Sequence, residues 1–292
     1  MKRRFMQASV SLMMLMILLF TCAGAEGKTG GVITEEYSLE RDGKKIYGKL
    51  YLPENAEFPL PLLILSHGLG SDHTKMDPYA EIFAGNGFAA YVFDYIGGSE
   101  KSLSDGSMTE MSVLTEAEDL NCILDQFIDE SRNGGRFSEK EIFLFGGSQG
   151  GFISTYVAAE RPEDTAGLIA LYPAYNLQDI CRSLVSEDGG IPETTVIGKY
   201  TVGSIYVKDI ISFDIYEVMK QYTGPALLFQ GTADTYVPVD YARKAAETLP
   251  DAELIIVEGA GHGFKGEDLD SVAQKTIQFV REILKRALPD AA

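Results

Sequence analysis

The stretch Gly146-Gly147-Ser148-Gln149-Gly150-Gly151 restricts the fold more than any other, because it joins an apolar segment at 142–145 directly to a helical pattern at 152–159. A serine on a sharp strand-to-helix turn takes a strained backbone, and bulky neighbours would clash there, so glycines flank it. The turn lifts the hydroxyl into the crevice at the strand end. The following helix aims its first amides at the same spot, which favours negative charge developing beside Ser148. A Gly-x-Ser-x-Gly match alone is only a hypothesis. Its position between a strand and a helix in mid-chain makes Ser148 a candidate nucleophile.

Around this turn, short apolar runs alternate with amphipathic helical stretches, the pattern of an α/β fold with a mainly parallel sheet wrapped by helices. Residues 36–39 and 46–52 alternate polar with apolar about Arg41-Asp42-Gly43-Lys44, which predicts an opening antiparallel hairpin at a sheet edge. Core strands are predicted at 60–66, 88–93, 142–145, 168–172, 226–229 and 254–257, and helices at 79–84, 111–128, 152–159, 241–249 and 271–287. In the helix over 111–128, Val113, Leu114, Ala117, Leu120, Leu124, Phe127 and Ile128 recur at three- and four-residue steps, giving one face to the sheet. Between 173 and 223 the alternation stops. That stretch reads as an insertion.

A serine hydroxyl is barely nucleophilic at neutral pH and needs a base within hydrogen-bond reach, for which imidazole has a suitable pKa. Of the three histidines, His262 lies in the glycine-rich loop Gly259-Ala260-Gly261-His262-Gly263 just after the last strand, at the end where a crevice opens. His73, in a polar loop, reads as a surface residue. The carboxylate that orients the base should fall between serine and histidine in chain order. Asp234 does so, in Gln230-Gly231-Thr232-Ala233-Asp234 after a strand, whereas Asp240 and Asp251 read as helix-flanking surface acids. Acyl transfer also needs amide donors for an oxyanion. The amide after the nucleophile, Gln149, is one, and the glycines of His67-Gly68-Leu69-Gly70 make Leu69 the second. The His67 side chain is read as loop support.

At the N-terminus, Lys2, Arg3 and Arg4 precede an apolar run over 10–20, too short for the roughly 20 apolar residues of a spanning helix. With Ala23-Gly24-Ala25 behind it, the segment reads as a signal peptide over 1–25, leaving a single domain over 26–292 in a secreted or extracytoplasmic protein. Lipid anchoring at Cys22 is the competing reading, set against bulky Phe20 where small residues are usual. Losing those three cations takes the net charge from −18 to −21, which argues against nucleic acid and anionic membranes as partners. Cys122 and Cys181 lack metal-site spacing, and both a disulfide and two buried thiols stay open.

With these residues assembled, the chain resembles the α/β-hydrolase superfamily, and within it the bacterial cinnamoyl or feruloyl esterases. The resemblance rests on His67-Gly68-Leu69-Gly70, Asp94-Tyr95-Ile96-Gly97-Gly98-Ser99, the Ser148 turn, Gly231 through Asp234 with Val237-Pro238, and Gly261-His262. It implies a serine carboxylesterase needing no cofactor, and a small-molecule or plant-polysaccharide-derived ester as substrate. It also implies a cap at 174–222, after the sixth strand, whose Tyr175, Tyr206 and Phe213 would contact a hydroxycinnamoyl ring, with Tyr200 and Tyr216 as further aromatics. Asp94 would fix a loop. Departures touch specificity: Gly147, Gly98, Gln230 and Thr232 stand where relatives commonly carry His or Asp. A prolyl-oligopeptidase-like serine peptidase is the first alternative, disfavoured because only 26–59 precede the first parallel strand; a non-catalytic binding protein is the second.

Overall fold

The structure is a computed structural model that describes residues 30–287, so the signal segment at 1–25 and Cys22 lie outside the described residues. The chain opens with strands β1 (Val32–Glu36), β2 (Leu39–Arg41), β3 (Lys44–Ile46), β4 (Gly48–Pro53) and β5 (Leu60–Ser66). Then come helix α1 (Asp77–Gly85), β6 (Ala89–Phe93), α2 (Val113–Arg132), β7 (Phe137–Gly147), α3 (Gln149–Glu160) and β8 (Gly167–Leu171). The segment that follows holds α4 (Leu177–Arg182), the hairpin β9 (Thr194–Ile197) and β10 (Tyr200–Gly203), α5 (Ser204–Ile210) and α6 (Ile215–Met219). The chain closes with β11 (Ala226–Gly231), α7 (Val239–Thr248), β12 (Ala252–Val257) and α8 (Glu267–Ala287).

Eight strands form the main sheet in the order β1-β4-β6-β5-β7-β8-β11-β12, and β4 runs opposite to both of its neighbours while the pairs from β6 to β12 are parallel. The central strands are covered on both faces, which is why they read as unbroken apolar runs. One apolar layer contains α2, α3, α7 and the cap; the other contains α1 and α8. In the first layer Phe127 is fully buried and meets Tyr37, Tyr91 and Phe137 edge-on or stacked at 4.9–5.4 Å. Ser112 starts α2 with a capping box, its hydroxyl accepting from the Thr115 amide while the Thr115 hydroxyl accepts from the Ser112 amide.

The opening hairpin differs from the sequence expectation. The tight turn at Asp42 and Gly43, both at positive φ, joins only the short strands β2 and β3, while β1 pairs with β4 at the sheet edge. Cys122 and Cys181 are free thiols.

The chain leaves β5 toward β6 on one side and reaches β7 on the other, so the strand order reverses at β5. In sheets of this kind that reversal opens a crevice at the strands' carboxyl ends. Ser66 lies opposite Gly146 in register there, which sets the loop at 67–70 against the Ser148 turn.

Truncating Phe127 to Ala should cost about 3–5 kcal/mol by the usual scale for buried aromatics. A thermal melt monitored by circular dichroism checks this, and a loss under 1 kcal/mol would show that this layer does not hold the sheet.

Candidate active site

Ser148 sits between β7 and α3 with φ 56° and ψ −119°, a conformation that non-glycine residues rarely adopt. Hydrogen bonds hold it: its amide donates to Leu171 at the end of β8, and its carbonyl accepts from Ala174 and Phe152. The flanking glycines are required by space. A Cβ on Gly146 would fall 2.2 Å from the Gly150 carbonyl oxygen, and one on Gly150 2.3 Å from that of Ser66.

His262, in the loop after β12, brings Nε2 to 2.9 Å from the Ser148 hydroxyl, across 114 positions of chain. Its Nδ1 lies 2.8 Å from Asp234 Oδ2. Asp234, in the loop after β11, has a fully buried carboxylate that also accepts from the Tyr236 and Val237 amides at Oδ1 and from the Gln230 side-chain amide at Oδ2. Burial pushes this carboxyl up, but the His262 ring and the two backbone amides outweigh it and hold the group below its ordinary value. It is therefore an anion at neutral pH. With Asp234 accepting at Nδ1, that nitrogen carries the proton and Nε2 is left as an acceptor for the serine proton. Tyr172, at φ 38°, packs its ring 4.8 Å from the imidazole and fixes its other side.

Leu69 and Gln149 both line the cavity that contains Ser148 and His262, and no described backbone or side-chain group accepts from either amide. They are available to an oxyanion. Behind them, fully buried His67 binds its own loop, with Nδ1 2.9 Å from the Gly68 carbonyl and Nε2 accepting from the Tyr95 amide, and burial lowers its pKa. That makes it a neutral brace. Asp94 clamps the adjacent loops by accepting from the His73 and Leu103 amides. His73 is thus not a free surface residue: its ring lies 2.9 Å from Asp94 and its side chain is 11% exposed.

The cavity holds about 570 Å³, within the range of small-molecule sites. Its walls come from Leu69, Ala174, Leu177, Ile180, Ile197 and Val237, with Tyr200, Lys199 and Tyr236 toward the cap hairpin and the mouth. The three cap aromatics expected to contact substrate are placed elsewhere. Tyr175 is buried with its hydroxyl on Thr155, Tyr206 is buried with its hydroxyl on Gln149, and Phe213 packs against Phe152 and Tyr156. They pack the cap onto α3. The aromatics that do line the cavity are Tyr200, named only as a further possibility in sequence, and Tyr236, 69% exposed with its ring 5.3 Å from His262. Sequence reasoning missed Tyr236, Tyr172 and the Gln230 contact. Only Gln230 carried a signal, standing at the end of β11 four residues before Asp234.

A family model described as serine aminopeptidase, S33, matches residues 59–189, and one described as TAP-like protein matches 214–285. Among curated proteins, mouse monoglyceride lipase is 28% identical over 77% of this chain and 82% of its own length. Rat acylamino-acid-releasing enzyme is 23% identical over 73% of this chain but only 30% of its own length. Among solved structures, Est1E from Butyrivibrio proteoclasticus with ferulic acid bound superposes with a TM-score of 0.76 at 21% identity, covering 85% of this chain and 99% of that one. Sheet order, the Ser148 turn and the superposition on Est1E give the chain the α/β-hydrolase fold.

Asp234→Asn should leave the fold intact while presenting the wrong face of the imidazole, lowering kcat by about 10³- to 10⁴-fold by analogy with other serine triads. Steady-state kinetics with unchanged circular dichroism checks this; a loss under tenfold would remove Asp234 from the role.

Proposed function

We propose that the chain is a serine carboxylesterase that hydrolyses small acyl esters through an acyl-enzyme on Ser148. The observation that carries the reading is the unbroken line from Asp234 through His262 to the Ser148 hydroxyl, at 2.8 and 2.9 Å. His262 takes the serine proton as the hydroxyl attacks the ester carbonyl, and Asp234 stabilises the imidazolium that forms. The Leu69 and Gln149 amides receive the charge on the tetrahedral oxygen. Proton return from His262 expels the alcohol, and water repeats the sequence to free the acid. No step calls for a metal or organic cofactor.

The largely apolar cavity supports an acyl group of modest size. As a finer reading we propose hydroxycinnamoyl esters, such as feruloyl esters released from plant polysaccharide, supported by the likeness to Est1E with ferulic acid bound and by Tyr200 and Tyr236 on the cavity wall. The likeness to mouse monoglyceride lipase supports aliphatic acyl esters as the competing choice. A peptidase is the second reading, favoured by the serine aminopeptidase match over 59–189 and the likeness to acylamino-acid-releasing enzyme. We further propose that residues 1–25 direct export and are removed.

Ser148→Ala should abolish both ester turnover and labelling by a fluorophosphonate probe, and labelling that survives in this variant would place the nucleophile elsewhere. A panel of p-nitrophenyl acyl esters, methyl ferulate, a monoacylglycerol and dipeptide amides then ranks the substrates. Ester cleavage should exceed amide cleavage by at least about 100-fold, and the reverse order would establish the peptidase.

A further inference from the structure

Gln149 contributes its amide to the cavity, yet its side chain is buried and held at both ends. Its Nε2 donates to Glu116 Oε2 on α2 at 2.6 Å, and its Oε1 accepts from the Tyr206 hydroxyl on α5. Glu116, Gln149 and Tyr206 are each at most 1% exposed. The other Glu116 oxygen, the Tyr95 hydroxyl and the Ser66 hydroxyl are all buried without partners.

Glu116 has no cation among the described residues. Asp119, three residues further along the same helix, binds the Arg41 guanidinium at 2.7 Å, and Arg41 forms its remaining ion pairs with Glu118 and Asp42 rather than with Glu116. The remaining titratable groups that face Glu116 are phenols, Tyr95 from the loop after β6 and Tyr206 from α5. A lone carboxylate in such a place is costly, and a neutral acid is not.

We propose that Glu116 is a positioning residue which, as a neutral carboxylic acid, holds the Gln149 side chain and thereby aims the Gln149 amide at the oxyanion, while Tyr206 ties the cap to the same amide. Burial supports this by pushing the Glu116 carboxyl up to about 8, with the Gln149 contact opposing and Asp119 adding to the shift. The proton sits on Oε1, the oxygen without a partner. Losing it places a negative charge one side chain from an amide that must receive another, so turnover falls as the carboxylate forms. The inference rests on the Ser148 chemistry proposed above.

Stability follows the same proton. The folded value lies above the ordinary 4.5, so the folded state binds this proton more tightly, and stability falls as pH rises from about 4.5 to about 8.

The test is the pH profile of kcat for p-nitrophenyl butyrate in the full-length protein and its variants. A histidine base gives an ascending limb at low pH and no loss above it. The wild type should add a descending limb near pH 8. Glu116→Leu should lower kcat about tenfold with KM little changed, and Glu116→Gln should restore it to within about threefold while abolishing the descending limb. Infrared difference spectra across pH 8 should show a protonated carboxyl C=O band in the wild type that Glu116→Gln lacks, a reading independent of turnover. Superimposed profiles for wild type and Glu116→Gln, or no such band, overturn the proposal. If Ser148→Ala still abolishes turnover in that case, this inference fails and the esterase reading stands; if it does not, the esterase reading fails first.

Discussion

The backbone of Ser148 is the constraint on which the rest of the structure depends. A non-glycine residue at φ 56° carries on the order of 1–3 kcal/mol of strain and persists only where its surroundings over-determine it. Here they do so in three directions. The end of β8 receives its amide, Ala174 and Phe152 bind its carbonyl, and glycines allow β7, α3 and the β5 loop to approach within contact of one another. The consequence is geometric. The hydroxyl is presented at the one edge of the sheet where the loops after β5, β11 and β12 also emerge, so three side chains distant in sequence need only short loops to meet.

This dependence explains what could be read in the sequence. The parallel strands are buried on both faces and so spell continuous apolar runs, and the functional side chains follow those runs at their carboxyl ends. Ser148, Asp234 and His262 are legible because each lies a few residues past such a run and because the fold imposes their order. Edges were harder to read. The strand β7 begins at Phe137, five residues before the apolar core at 142, because 138–141 are polar or charged. The first hairpin differs because the chain changes partner: the Tyr37 amide still bonds the Gly48 carbonyl beside β4, and from Leu39 the chain pairs with β3 instead, which splits one apparent strand into β1 and β2.

The cap shows where sequence reading stops. Tyr175 and Tyr206 are the same residue type as Tyr200, yet of the three only Tyr200 lines the cavity. What separates them is the partner each polar end finds, Thr155 for one hydroxyl and Gln149 for another, and those partners lie 20 and 57 positions away. A buried tyrosine hydroxyl usually finds a partner, and at Tyr175 and Tyr206 that partner decides the orientation of the ring. Gln230 gives the same lesson. Its amide serves the Asp234 carboxylate and the Val237 carbonyl at once, a role decided by the loop that folds over it.

These contacts also divide the cap into a fixed part and a free one. Gln178 on α4 donates to the Ile210 and Phe213 carbonyls and accepts from the Ile215 amide, locking α4, α5 and α6 together. Asn176 bonds the Tyr236 carbonyl, Tyr216 bonds the Tyr241 carbonyl, and Tyr206 reaches Gln149, so the locked unit is seated on the Asp234 loop, α7 and the nucleophile turn alike. The hairpin tip at Gly198 and Lys199 has no comparable anchor: it is exposed, with Lys199 resting over the Tyr200 ring. A relative can therefore alter the tip and the exposed Tyr236 without disturbing the triad, whereas a change at Tyr206 or Asn176 is transmitted to the residues that perform the chemistry. On the esterase reading proposed above, the rim of the cavity is the place where a different substrate can be accommodated, because the buried polar contacts of the cap hold the residues beneath it.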